Sequence, residues 1–216
     1  KWTEAIAHAD KVLGSDPKLV LRNWKAFYSI PRTDASFALA YYDISNPANL
    51  LTVPTYSYYP WLVTGGTAYY NTRFTQSQEL TLTETLFAKN IWGTKDPYWF
   101  QPFIYTEGNI NKTVQPKLPT FPSNSIQTME TPFTTDETLL VRAEAKLHLG
   151  SSQYASAIED MNLWTTNYLN DGENNSRQKT FTQQEIVAFY SALPIDSEGK
   201  ASIRKAFNAH FTIASD

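Results

Sequence analysis

Trp2, Ala5, Ile6, Ala9, Val12 and Leu13 open the chain at the i, i+3, i+4, i+7 spacing of an amphipathic helix. Gly14 can take a left-handed cap, so this helix is expected to stop there, with one apolar face in need of a cover. Asp16 as N-cap and Pro17 at the first helical position then predict a second helix, KLVLRNWKAFYSI, that ends before Pro31. Past that point the periodicity breaks. Pro47, Pro54, Pro60, Pro97, Pro102, Pro116, Pro119, Pro122 and Pro132 interrupt a stretch rich in Tyr, Thr and Asn, where long regular elements are not expected. One exception is TLTETLFAKNIWG, with a capping box of Thr81 and Glu84 and a stop at Gly93; its early Leu/Thr alternation also fits a short strand.

Helical periodicity returns in TTDETLLVRAEAKLHLG, opened by Thr134 and Glu137 as a capping box and closed at Gly150. QYASAIEDMNLWTTNYL follows after a very short turn, which predicts an antiparallel helical hairpin. NDGENNSR reads as a solvated polar turn, because its acidic spacing does not match a calcium-binding loop. TQQEIVAFYSAL carries a third capping box, Thr182 and Glu185, and the stripe Ile203, Ala206, Phe207, His210 and Phe211 reads as one more helix with His210 in its core face.

The opening helix has an internal echo. With Trp2 set on Tyr154, Ala5 falls on Ala157, Ile6 on Ile158, Ala9 on Met161 and Asp10 on Asn162. An aromatic, a small residue three later and apolar positions at four and seven make the second-helix pattern of a tetratricopeptide repeat. The two copies lie much further apart than the roughly 34-residue period of a regular solenoid. The expected fold is therefore mainly α: tetratricopeptide-like helix pairs in a single domain over 1–216, helical over 1–30 and 134–216, with a loop-rich, aromatic and proline-rich insertion over 31–133. Because the first copy lacks its preceding partner, its face is expected to be covered by a helix before Lys1 in a longer protein.

Composition narrows the function. Eighteen basic against twenty-one acidic residues give a net charge of −3, which offers no electrostatic footprint for nucleic acid or anionic lipid. No apolar run approaches the length of a membrane span. Zero cysteines remove disulfides and thiolate chemistry, and three scattered histidines without an HExxH pairing argue against a metal centre, so neither metal nor cofactor is expected.

The block DETLLVRAEAKLHLG followed by YASAIEDMNLW resembles the helix pair of SusD/RagB-type proteins of the Bacteroidetes, and LRNWKAFYSI with NPANLL resembles their middle region. The resemblance covers most of the chain. It implies a lipid-anchored protein on the cell outer membrane surface that binds glycan and delivers oligosaccharide to a TonB-dependent, SusC-like transporter. Two departures stand out: the family's N-terminal signal with its lipid-bearing cysteine, and its EG-R-W-F-D-like segment after the last helices, are not in this sequence. The expectation is a fragment from the middle of such a protein, anchored through a lipid outside this chain.

A sugar offers C–H faces and a rim of hydroxyls, so its site combines aromatic platforms with amide or guanidinium groups. Residues 41 to 105 hold that inventory, including Tyr41, Tyr42, Asn46 and Asn49. Tyr58, Tyr59 and Trp61 of YSYYPW are the leading candidates, followed by Tyr56, Trp99, Asn71 and Arg73. The opposing reading makes each such ring part of the insertion's own core. Two rival functions stay open: a glycoside hydrolase, for which Asp43, Glu79, Glu84 and Asp96 provide no evident acid pair, and a tetratricopeptide-type protein-interaction module, which has no need of so aromatic an insertion. The sequence carries no G-x-S-x-G and no glycine-rich phosphate loop, so catalysis is disfavoured.

Overall fold

The computed structural model describes residues 1–30, 35–56, 76–77, 90–93, 103–107, 110–114 and 127–193. Among these residues the protein is mainly helical. Helices α1 (Trp2–Leu13), α2 (Trp24–Tyr28) and α3 (Ala35–Tyr42) precede strands β1 (Asn49–Tyr56), β2 (Gln76–Ser77), β3 (Phe103–Glu107), β4 (Ile110–Val114) and β5 (Gln127–Thr134). Helices α4 (Thr135–His148), α5 (Tyr154–Tyr168) and α6 (Gln183–Ala192) follow. β1 pairs antiparallel with β5, and a separate antiparallel sheet has the order β2-β4-β3.

α4 is the organising helix. The Thr134 side chain accepts a hydrogen bond from the Glu137 amide at 3.2 Å, Asp136 and Glu137 face the positive end of the dipole, and Lys146 and His148 face the negative end. Gly150, at φ +94°, reverses the chain, and a 3-10 turn over Ser151–Gln153 launches α5 back against α4. On its other side α4 meets α1: Leu139 packs with Ala9, Leu13 and Leu21, while Val20, Leu163 and Trp164 close the cluster. The Trp2 ring stacks on His148 at 4.0 Å and 4°, so the start of α1 lies at the end of α4. Part of the face of the opening helix, at Ala9 and Leu13, is thus covered from within the chain by α4. The apolar stripe of α1 gave no way to see this, because its partner lies beyond the whole insertion.

Burial of charge ties the same three helices together. The Arg142 guanidinium on α4 donates from Nε and Nη2 to Asp160 of α5 at 3.0 and 2.6 Å and from Nη1 to Asp10 of α1 at 2.8 Å. Lys146 Nζ adds a bond to Asp160 at 2.7 Å. Asp10 lies on the face of the opening helix that matches Asn162 of α5; there the Asn162 amide exchanges two 2.9 Å bonds with the backbone of Phe181 and pins the approach to α6. α6 itself begins on a complete capping box of Thr182 and Glu185.

The second predicted helix is broken. Pro17–Leu19 forms one 3-10 turn capped by Asp16, the helical path then stops, and α2 restarts on Asn23, whose side chain accepts from the Ala26 amide at 3.0 Å. Asn at a helix start competes for backbone donors, and here it wins. The break frees Arg22 to lie over the Tyr41 ring at 4.3 Å and donate to the Tyr41 carbonyl at 3.2 Å. Two expectations about the insertion also change: it holds the two-turn helix α3 and two eight-residue strands. Pro54 and Pro132 sit inside those strands, which antiparallel pairs tolerate where the missing amide points out of the ladder.

Asp136, in the first turn of α4, is buried beneath Trp24. Its Oδ1 accepts from Trp24 Nε1 at 3.2 Å and from Asn167 Nδ2 at 3.4 Å. Burial pushes its carboxyl above the usual range, against the pull of the indole bond and nearby Arg22. A carboxyl with a raised folded pKa holds its proton more tightly when folded, so its contribution is complete at low pH and is lost as pH rises through the raised value. Asp136→Asn keeps the Oδ1 acceptor and cannot ionise. In urea titrations the wild type is expected to lose stability relative to this variant as pH rises from about 4 upward; a constant difference between pH 4 and 8 would refute a burdened carboxylate.

Candidate functional site

α5 ends at the fully buried Leu169, and the segment after it folds on itself before reaching α6. Asn170 Oδ1 accepts from the Gly172 amide at 3.0 Å and from Arg177 Nε at 3.1 Å, while the Arg177 amide donates to the Asp171 carbonyl at 3.0 Å. Gly172 is required here: its φ is +71°, and an added Cβ would lie 3.0 Å from the Arg177 Cβ and 3.2 Å from its nitrogen. Asn174 and Asn175 hold φ of 54° and 57°, a left-handed conformation that asparagine tolerates better than other side chains. Asp171 clamps the loop from outside, accepting from Lys179 Nζ at 2.5 Å and Lys25 Nζ at 2.8 Å. Those two ammonium groups, Lys179 foremost, hold its carboxyl below the usual carboxylate range.

Facing this loop is a β-turn of Asn90 to Gly93, closed by a 3.0 Å bond from the Gly93 amide to the Asn90 carbonyl, with Gly93 at φ +94°. Arg177 Nη1 donates to the Trp92 carbonyl at 2.8 Å and so fixes turn and loop to each other. Between them lies a cleft of about 430 Å³. Ile91 and Trp92 form one wall; Asn170, Gly172, Glu173, Ser176, Arg177 and Gln178 form the other. The Trp92 indole Nε1 is buried and has no hydrogen-bond partner among the described residues, and a donor left so costs about 1–3 kcal/mol. The volume falls at the small end of the usual range for ligand pockets.

Two other concavities differ in chemistry. A cleft of about 440 Å³ is lined chiefly by Leu39, Ala40, Tyr42, Ile44 and Met129, with Asp43 committed to Ser45. A groove of about 270 Å³ runs between α1 and α4 past Ala5, Val12 and Val141. Among these three, the cleft beside Trp92 alone joins an indole with amide and guanidinium groups.

Of the residues proposed from sequence, Tyr58, Tyr59, Trp61, Asn71, Arg73 and Trp99 lie outside the described residues. Tyr56 is the last residue of β1, paired with Gln127. Four members of the wider inventory have structural roles instead. Tyr41 covers Arg22 and packs on Phe27, Tyr42 is buried, Asn46 accepts from the Ala48 amide, and Asn49 donates to the Tyr41 and Asp43 carbonyls at 2.8 and 2.9 Å. The Tyr41 ring is thus packed against residues of the helical segment 1–30, and the Tyr42 ring is buried. The Trp92 cleft was missed because NDGENNSR looks like plain solvated loop; the usable signal was a glycine flanked by Asn, Asp and Arg, which marks a self-bonded turn.

No metal-binding cluster of three His, Asp or Glu residues occurs among the described residues, and no helix among them is long and apolar enough to cross a membrane. No protein-family model, no curated protein and no solved structure matches this chain.

Proposed function

We propose that the protein binds glycan without cleaving it, as a SusD/RagB-type receptor on the outer membrane surface that passes oligosaccharide to a TonB-dependent transporter. The observation that carries this reading is the cleft in which Trp92 faces Asn170, Glu173, Arg177 and Gln178, because an indole beside hydrogen-bonding side chains suits a sugar's apolar face and hydroxyl rim. Binding is favoured over hydrolysis by the lining, in which Glu173 is the one carboxylate among the described residues, whereas glycoside cleavage uses two acids about 5 to 10 Å apart. The α4–α5 hairpin with α1 laid against α4, together with the echo of the opening helix in α5, supports a tetratricopeptide-like scaffold interrupted by residues 31–133.

The test is calorimetric titration of the protein with plant, host and microbial oligosaccharides, with every sample assayed for new reducing ends. Heat without cleavage is the expected result. Trp92→Ala is expected to weaken the strongest of these ligands by about 2 kcal/mol, roughly thirtyfold in Kd, as removal of a central aromatic contact does. Unchanged affinity in that variant moves the site away from the cleft, and release of reducing ends replaces binding with hydrolysis.

A further inference from the structure

The polar groups of the cleft are not equally available. Arg177, its cation, spends Nε on Asn170 and Nη1 on the Trp92 carbonyl, at 3.1 and 2.8 Å. The Ser176 hydroxyl donates to the Glu173 carbonyl at 2.6 Å, and Gln178 Nε2 donates to the Thr180 carbonyl at 3.1 Å and to Glu185 at 3.3 Å. The Nε and Nη1 of Arg177, the Ser176 hydroxyl and Gln178 Nε2 are thus already engaged in holding the loop. The Glu173 carboxylate is different: it is exposed at the cleft and forms no hydrogen bond or ion pair with the described residues. A ligand entering here meets an acceptor-rich wall, one uncommitted negative charge and an indole.

That inventory selects by charge. A carboxylate or phosphate on the ligand would find Arg177 Nε and Nη1 and Gln178 Nε2 already engaged, and it would face Glu173 across a small cleft, a like-charge contact that costs affinity. Hydroxyl groups satisfy the wall, since each can donate, and two neighbouring hydroxyls can donate to the two oxygens of one carboxylate in charge-assisted bonds. We propose that the cleft is selective for uncharged sugars, with Glu173 accepting from a pair of adjacent hydroxyls and Arg177 acting as a positioning residue that holds the loop to Trp92 instead of receiving an anion. This inference rests on the glycan-binding reading and names the substrate class for that same site.

The experiment titrates the protein with four hexamers: maltohexaose and xylohexaose as neutral probes, hexagalacturonate as the anionic one and a chitosan hexamer as the cationic one. At least one neutral hexamer is expected to bind, with hexagalacturonate at least tenfold weaker. Glu173→Gln conserves shape on an exposed side chain, so folding is not at stake. It is expected to weaken the neutral hexamer about tenfold and to narrow the gap to hexagalacturonate, because it removes the charge from both comparisons. Arg177→Lys, which cannot span both acceptors, is expected to weaken the neutral ligand without strengthening the anionic one, and to speed amide hydrogen exchange over 170–178. Hexagalacturonate binding as tightly as the neutral probes, or Glu173→Gln without effect on them, overturns the charge selection while leaving glycan binding intact. A preference for the chitosan hexamer overturns it in favour of cation recognition. Absence of heat with all four probes and with the wider oligosaccharide panel overturns the glycan reading and this inference with it.

Discussion

Asp160→Ala is expected to remove about 3–5 kcal/mol of unfolding free energy, the range seen when one partner of a buried ion pair is deleted. Asp160 is 6 % exposed at its side chain and receives the Arg142 guanidinium through two bonds, with Lys146 as a third donor. Without it, both cations remain between α4 and α5. An arginine does not lose its proton, so Arg142 stays charged in a site where its side chain is 10 % exposed. Asp10 cannot take over: it holds Nη1 alone and is 55 % exposed, which places it among solvent-screened partners. Asp10→Ala is therefore expected to cost less than about 1 kcal/mol. Urea denaturation of the two variants side by side separates the effects. A loss for Asp160→Ala no larger than that for Asp10→Ala would mean that water replaces the carboxylate and the network does not bind the helices together.

Where sequence and structure agree, the signal was local. Thr134 and Thr182 each cap the helix that follows, and Gly150 takes the positive φ expected of a residue ending a helix. Each of these needs only four or five neighbouring residues. α3 was invisible for the opposite reason: ASFALAYY is apolar on every side, so it has no stripe to detect, and it lies between prolines that suggest interruption. β1 and β5 were hidden by Pro54 and Pro132, which read as breakers until the partner strand is known. Asn23 broke the second helix through a side-chain bond whose strength against helix continuation cannot be judged from spacing alone.

The candidate site was less legible than the fold because its parts are distant in sequence. Arg177 reaches back 85 residues to the Trp92 carbonyl, and Lys25 reaches Asp171 across 146. Neither segment advertises the other. The aromatic-rich stretch 41 to 70 drew attention by density, yet density does not tell a platform from a packed ring: Tyr41 spends its face on Arg22 and Phe27. An aromatic near hydrogen-bonding groups is informative only after the polar partners have been checked for prior commitments, and in the Trp92 cleft that check singles out Glu173.

Leu139→Ala is the second large expected effect, about 2–5 kcal/mol of destabilisation. Leu139 is fully buried and touches the α1 residues Ala9 and Leu13 as well as Leu21, so truncation opens a void where the opening helix docks on α4. Neighbouring side chains are poorly placed to refill it, since Ala9 has nothing to extend and Leu13 is itself fully buried. The Trp92 cleft stands apart from this core: Asn170, Arg177 and the Lys25–Asp171–Lys179 clamp hold its loop through bonds that do not involve Leu139. Below its own melting transition the variant is therefore expected to bind the neutral hexamer with wild-type affinity while melting several degrees lower. Calorimetric titration and thermal unfolding of one preparation test both statements. A parallel fall in affinity, measured where the variant is fully folded, would show that packing of α1 on α4 is transmitted through α5 to the loop, and the separation of scaffold from site would be wrong.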